Sequence, residues 1–248
     1  MLKVKNETST SAEIYIYGTI IDDEDATWYE YWKGKEGIDG YQFPQELRRQ
    51  LDGLKGKELT LYINSYGGSI PAGVAMANMI KRHDARTTAI VDGYCCSIAT
   101  QIFFSANKCR MHKNSYLMIH KPFSYVMGNA IELRKAAEAL DTLQEGLEST
   151  YMSKVLENVT SQDIHNMVED EIWLTGEEAI KTFEIELMES QKTLNCFGSL
   201  DKLKAMGAKK IPQSLNFISG EKLSPPKQVD WSEIKIALAR AKGAVINC

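Results

Sequence analysis

Apolar positions recur every second residue in short runs and every third or fourth in longer ones. The two periods alternate through the first 125 residues. The run Ala12-Glu13-Ile14-Tyr15-Ile16-Tyr17-Gly18-Thr19-Ile20 alternates and is rich in β-branched and aromatic residues, which predicts the first strand. An acidic loop is expected at Asp22-Asp23-Glu24-Asp25, followed by an aromatic, polar stretch through Tyr31-Trp32-Lys33-Gly34. Phe43, Leu47, Leu51 and Leu54 lie at helical spacing and predict a helix over 42–54. A strand over 58–64, a glycine turn, a helix over 72–83 and a strand over 86–92 come next. A small-residue turn then opens a helix over 97–107, with strands over Lys108–His112 and 116–120 close behind.

The longest helical pattern covers 129–158, where Ala136, Leu140, Leu143, Leu147 and Tyr151 form one apolar stripe. At ~1.5 Å per residue this is a rod of roughly 45 Å, long for a domain of this size. Its stripe packs either against a second subunit or across its own sheet. Thr160-Ser161-Gln162-Asp163 and the capping box Thr175-Gly176-Glu177-Glu178 start two further helices. Alternating strands and helices argue for an α/β fold with parallel strands and right-handed crossovers. Beyond Ser190 the character changes: 213–229 is polar with Pro225 and Pro226 and reads as a linker, and Asp230-Trp231-Ser232-Glu233 caps a short terminal helix. The expected organisation is one domain over 1–190 and a C-terminal extension over 191–248.

Composition narrows the classes. With 248 residues, 44% hydrophobic and 25% charged, the chain has enough apolar material for a substantial core. A net charge of −4 without a basic run speaks against nucleic acid or an anionic membrane surface as partner. No apolar stretch reaches the ~18 residues of a membrane span, and the start Met1-Leu2-Lys3-Val4 lacks a secretory core, so a cytoplasmic location is expected. The cysteines at 95, 96, 109, 196 and 248 show no zinc-site spacing and read as reduced small apolar residues. The histidines at 83, 112, 120 and 165 form no paired metal motif, so neither metal nor cofactor is expected.

Three segments carry candidate chemistry. Ser97 lies in Gly93-Tyr94-Cys95-Cys96-Ser97-Ile98-Ala99, where a strand gives way to a helix. It is either a helix-capping serine or a nucleophile whose neighbouring amides face a carbonyl. His120 ends the apolar run Tyr116-Leu117-Met118-Ile119 and precedes Lys121-Pro122; it is either a satisfied edge histidine or a base. Gly67-Gly68 follows the strand ending at Asn64 and lets the backbone bend close to a ligand, or simply turns. In an open parallel sheet the carboxyl ends of strands gather on one edge, so the three segments can meet there. Nucleophile, proton acceptor and backbone donors are the parts acyl transfer requires. The Gly-x-Ser-x-Gly elbow of α/β-hydrolases is absent.

The segments Ile63-Asn64-Ser65-Tyr66-Gly67-Gly68-Ser69-Ile70, Gly93 to Ala99, Leu117-Met118-Ile119-His120-Lys121-Pro122 and Glu171-Ile172-Trp173-Leu174-Thr175-Gly176-Glu177-Glu178-Ala179 together resemble the Clp protease proteolytic subunits, particularly their phage-encoded relatives. The likeness covers roughly residues 12–188. It implies a ClpP/crotonase-like fold of stacked ββα units with a parallel sheet and a long handle helix. It also implies Ser97 as nucleophile, His120 as general base, and the amides of Gly68 and Ile98 as oxyanion hole. Glu171 stands where the family usually has aspartate as triad acid, with Asp170 the alternative one residue earlier. Substrate peptide would lie as an added strand along Gly67, Gly68, Ser69 and Ile70 on one side and Pro122, Phe123 and on to Val126 on the other.

The resemblance further implies a homo-oligomeric ring, stacked in pairs through the handle helix, acting on a polypeptide such as a phage capsid or scaffold protein. Tyr66 replaces a usual proline, and acids and aromatics replace the axial loop that engages an unfoldase, which leaves an ATPase partner open. Rival readings are a general Clp subunit fed by an unfoldase and a catalytically silent ring-forming component. A crotonase-type acyl-CoA enzyme shares the fold but needs neither Ser97 nor His120 in these positions.

Overall fold

Period-two burial builds the centre of the molecule. The computed structural model describes residues 2–34 and 38–189. In β2 (Ser11–Ile20), Ala12, Ile14 and Ile16 are buried while Glu13, Tyr15 and Tyr17 point to the other face. β4 (Glu58–Gly68) repeats this with Leu59, Leu61 and Ile63 inward, and β5 (Thr87–Cys96) with Thr87, Ala89 and Val91. Among the described residues nine strands form one sheet, ordered β1-β2-β4-β5-β6-β9, where β1 is Lys3–Lys5, β6 Lys108–His112 and β9 Glu186–Met188. The short β3 (Tyr41–Gln42) adds to β2, β7 (Tyr116–Ile119) to β5, and β8 (Ile172–Thr175) to β7. Pairing is parallel throughout except at β1–β2 and β7–β8, which is the α/β architecture expected.

The crossovers carry helices α2 (Pro44–Gly53), α3 (Ile70–Lys81) and α4 (Ala99–Ser105). α3 packs between α2 and α4. Their inward residues Leu47, Leu51, Met76, Ile80, Ile102 and Phe103 close one core against the inner sheet face. Continuous burial of this kind is the main favourable contribution to folding.

β5 changes partner along its length. Thr88–Val91 pairs with β6, whereas Tyr94, Cys95 and Cys96 pair with Tyr116, Leu117 and Met118 of β7. The register against β4 shifts between Ile63 and Ser65, and Asn64 Oδ1 accepts the Tyr94 amide (3.1 Å) across the break. Such irregularities bend a strand and re-aim the residues beyond the bend. Here they turn the end of β5 away from β6 and towards the β7–β8 pair, while Cys95 still pairs with Ser65 of β4.

Several boundaries differ from expectation: β4 and β5 run on to Gly68 and Cys96, past the expected ends at 64 and 92. Asp22–Asp25 is no loop: α1 spans Asp23–Lys33, with Asp23, Glu24 and Asp25 in its first turn. Carboxylates there complement the helix dipole, and Ala26 joins Ile21, Ile38 and Phe43 in a small second core. α3 begins at Ile70 because Ser69 caps it, its Oγ accepting the Ala72 amide (3.3 Å). The long helix α5 runs Ala130–Met152, about 35 Å, and stops short of position 158. Asn129 and Glu132 form its capping box, as Thr160 and Asp163 do for α6 (Ser161–Glu169) and Thr175 and Glu178 for α7 (Gly176–Ala179). The expected linker and terminal helix within 191–248 lie outside the described residues.

The α5 stripe splits in two. Leu147 and Tyr151 enter the core, while Leu143 is exposed, as are Ile131 and Leu133 outside the stripe. Leu147→Ala should therefore cost about 3 kcal/mol in urea unfolding; a cost under about 1 kcal/mol would show that the end of α5 is not docked.

Candidate active site

Ser97 is positioned by the last pair of the β5–β7 ladder. Cys96 faces Met118, and the Ser97 amide donates to the Met118 carbonyl (2.9 Å). Ser97 leaves the strand at φ 55°, a left-handed conformation costly for a residue with a side chain. Because that backbone is not helical, α4 begins only at Ala99 with Ile98 at its N-cap, two residues later than the sequence pattern suggests. The Ser97 carbonyl is held by Thr100, through both its amide (3.0 Å) and its hydroxyl (2.5 Å), and the Thr100 hydroxyl meets Tyr151 OH of α5 (2.8 Å). Tyr151 is buried, which pushes its phenol up to about 12, so it stays a neutral brace.

His120 leaves the adjacent strand two residues beyond Met118 and meets the serine directly. Its Nε2 lies 2.7 Å from Ser97 Oγ, a hydrogen bond in which the hydroxyl donates when Nδ1 carries the imidazole proton. The next strand adds an acid. β8 runs antiparallel to β7 with Ile172 opposite Ile119, so one further step of the same ladder sets Glu171 opposite His120. Glu171 is buried at φ 54°, in the turn between α6 and β8, whereas Asp170 ends α6 on the exposed side. Burial lowers the His120 pKa below its ordinary 6.5, and the negative charge of Glu171 offsets part of that shift.

Gly67 and Gly68 bring the end of β4 against the serine turn. A Cβ on Gly67 would stand 2.8 Å from both the Cys96 carbonyl oxygen and Ser97 Cβ, and one on Gly68 would stand 1.9 Å from the Ile20 carbonyl oxygen. Both have positive φ, 97° and 147°. Ser65 braces the bend, its hydroxyl donating to Gly18 O (2.6 Å) and accepting the Gly67 amide (3.0 Å). The Ile98 amide belongs to the helix entry, where amides lack intrahelical acceptors. Thus Gly68 and Ile98 both flank the serine.

A groove of roughly 460 Å³ runs past these groups, lined by Gly68, Ser69, Ile70, Ser97, His120, Pro122 and Phe123 among others. Of the residues expected at the site, Gly68, Ser69, Ile70, Ser97, His120, Pro122 and Phe123 line the groove, whereas Gly67, Ile98 and Glu171 do not. Two contributions are absent from the sequence reading. Ala136, Ala139, Leu140 and Leu143 of α5 form an apolar wall, and Asp22 lines the groove. The α5 wall comes from the stripe itself, whose period marks a face without saying what faces it. Cys95 and Cys96, directly before Ser97, are fully buried free thiols, pushed up by desolvation, as the small-filler reading requires.

A family model for Clp protease matches residues 47–183, more than half of the chain, and the chain belongs to that family. It is 30% identical over 131 residues to an ATP-dependent Clp protease proteolytic subunit of Leuconostoc citreum, covering 50% of this chain and 63% of that one. Against the subunit of the same description from Streptococcus pyogenes serotype M1 it is 30% identical over 141 residues, 55% of this chain and 71% of that one. A solved point mutant of ClpP1 from Listeria monocytogenes superposes with a TM-score of 0.55 at 20% identity, over 73% of this chain and 93% of that one, which establishes the fold.

Gly67→Ala should force the serine turn apart. Expected are a lowered melting temperature and at least a tenfold loss of fluorophosphonate labelling at Ser97; unchanged labelling would mean that the Gly67 approach does not set the turn.

Proposed function

We propose that the protein is a serine endopeptidase of the Clp proteolytic-subunit type. The observation that carries this reading is the 2.7 Å contact between Ser97 Oγ and His120 Nε2 on the wall of a peptide-sized groove. Ser97 Oγ attacks the scissile carbonyl while His120 Nε2 takes its proton, and the oxyanion accepts the amides of Gly68 and Ile98. His120 then returns the proton to the leaving amine. Water attacks the acyl-enzyme by the same route, releasing the acid and regenerating Ser97. Glu171 holds the imidazole tautomer and favours the imidazolium that forms transiently. Asp170, exposed at the end of α6, is the poorer candidate for that role.

Substrate lies along 68–70 on one side and 123–126 on the other, with Gly67 behind the serine. Residues 121–128 have no regular structure and expose Tyr125 and Met127, as an unfilled strand position would. The subunits assemble into a ring, with the exposed apolar residues Ile131 and Leu133 of α5 meeting a second ring. The biological task we assign is cleavage of capsid or scaffold protein during phage head maturation in a bacterial cytoplasm, supported by the resemblance to phage-encoded relatives. The alternative is degradation of unfolded proteins delivered by an ATPase, favoured by the description of the relatives as ATP-dependent. ATP-stimulated casein degradation with a co-purifying unfoldase would select it.

Ser97→Ala should abolish peptide hydrolysis and fluorophosphonate labelling; undiminished hydrolysis would remove Ser97 from the mechanism. Labelling failure in the native ring would instead mark a silent assembly component.

The pH profile is set by His120, whose lowered pKa keeps the base neutral and active down to pH values below 6.5. The acid limb of kcat/KM should therefore have its midpoint below 6.5. Glu171→Gln removes the charge that favours the imidazolium, so the limb should move lower still and kcat should fall on the order of 10²–10⁴-fold. Asp170→Asn should change neither. A limb that shifts with Asp170→Asn instead would exchange the two roles.

A further inference from the structure

Among the residues that line the groove, one is acidic. Asp22 stands two positions beyond Ile20, which pairs with Gly68 and whose carbonyl accepts the Ser69 amide (2.9 Å). The end of β2 thus runs beside the 68–70 wall, and Asp22 faces the same space as Ser97 and His120. Its position is the N-cap of α1, where an aspartate side chain ordinarily accepts an amide of the first turn. Here it makes no such bond, and only its backbone carbonyl is used, by Ala26 (3.0 Å). Among the described residues its carboxylate has no hydrogen-bond or ion-pair partner. Lys121, between the lining residues His120 and Pro122, is paired with Glu169 at 2.7 Å.

A half-buried carboxylate in a groove otherwise lined by apolar residues, serines and His120 is incomplete alone. Apolar walls lower the local dielectric and strengthen any ion pair formed there. The exposed residues Asp23, Glu24 and Asp25 follow it in the first turn of α1 and add negative charge next to it in the chain, though they do not line the groove. We infer that Asp22 is a specificity determinant that selects peptides carrying an arginine or lysine close to the scissile bond. This rests on the peptidase reading above. Arginine fits best, because its guanidinium pairs with a carboxylate through two parallel hydrogen bonds while its stem lies on apolar surface. The competing role, a charge that merely favours the start of α1, predicts a stability effect and no change in selectivity.

The test uses the full chain and internally quenched peptides, identical except for Arg, Gln or Glu placed in turn at each position within three residues of the scissile bond. The wild type should prefer Arg over Gln by about fivefold in kcat/KM at one position, a preference that shrinks as salt is raised. Asp22→Asn should bring that ratio to about one. Asp22→Lys should invert the charge preference in favour of Glu at the same position, a gain that misfolding cannot produce. A flat Arg/Gln ratio in a wild type that hydrolyses peptide and labels at Ser97, or a preference that survives Asp22→Asn, overturns the inference alone. A wild type that neither labels nor hydrolyses any peptide overturns the peptidase reading, and the inference with it.

Discussion

Everything at the site depends on the exchange of partners by β5. The strand spends its first half against β6 and its last three residues against β7, which in turn holds β8. Because the ladders pair Cys96 with Met118 and Ile119 with Ile172, the residues just past each strand end fall together without a dedicated loop. A serine, a histidine and a buried acid from distant parts of the chain are thereby brought to adjacent ladder ends. Had β5 stayed with β6, Ser97 and His120 would have left different parts of the sheet. Backbone hydrogen bonding sets the arrangement, and the side chains refine it.

The glycine pair works against the same frame. β4 ends where β2 ends, and the close approach of Gly68 to Ile20 and of Gly67 to the serine turn leaves no room for a side chain at either. Strain is concentrated in that small volume: Ser97 and Glu171 both adopt left-handed backbone. Such conformations persist only where surrounding bonds over-determine them. The bonds from Ser97 to Met118 and Thr100, with Tyr151 behind, serve that purpose at Ser97.

Much of this was legible in the sequence, for definite reasons. Strand cores such as 59–63 and 116–119 announce themselves by β-branched and apolar runs, and the capping boxes at Thr160 and Thr175 by their spacing. Ser97, His120 and the glycine pair were legible because each lies where one period gives way to another. Glu171 was ambiguous for a physical reason: neighbouring acids in one turn differ only in which of them the β7–β8 register points inward, and register is a pairing property. Asp22 was hidden because four successive polar residues resemble a solvated loop, although acids in a first turn favour a helix. The α5 stripe showed a single face where the structure has two uses for it, core from Leu147 onward and groove wall before it.

The thiols beside Ser97 have a practical consequence. Cys95 and Cys96 are sealed from solvent, and Cys109, pushed up to about 12, donates to the Phe103 carbonyl (3.3 Å). A buried thiol held in its neutral form is a poor nucleophile. Among the described residues, alkylating reagents and mild oxidants therefore find no thiolate beside the serine. Alkylation of these three positions would instead record how often the core opens, turning the filler of the active site into a clock for its local unfolding.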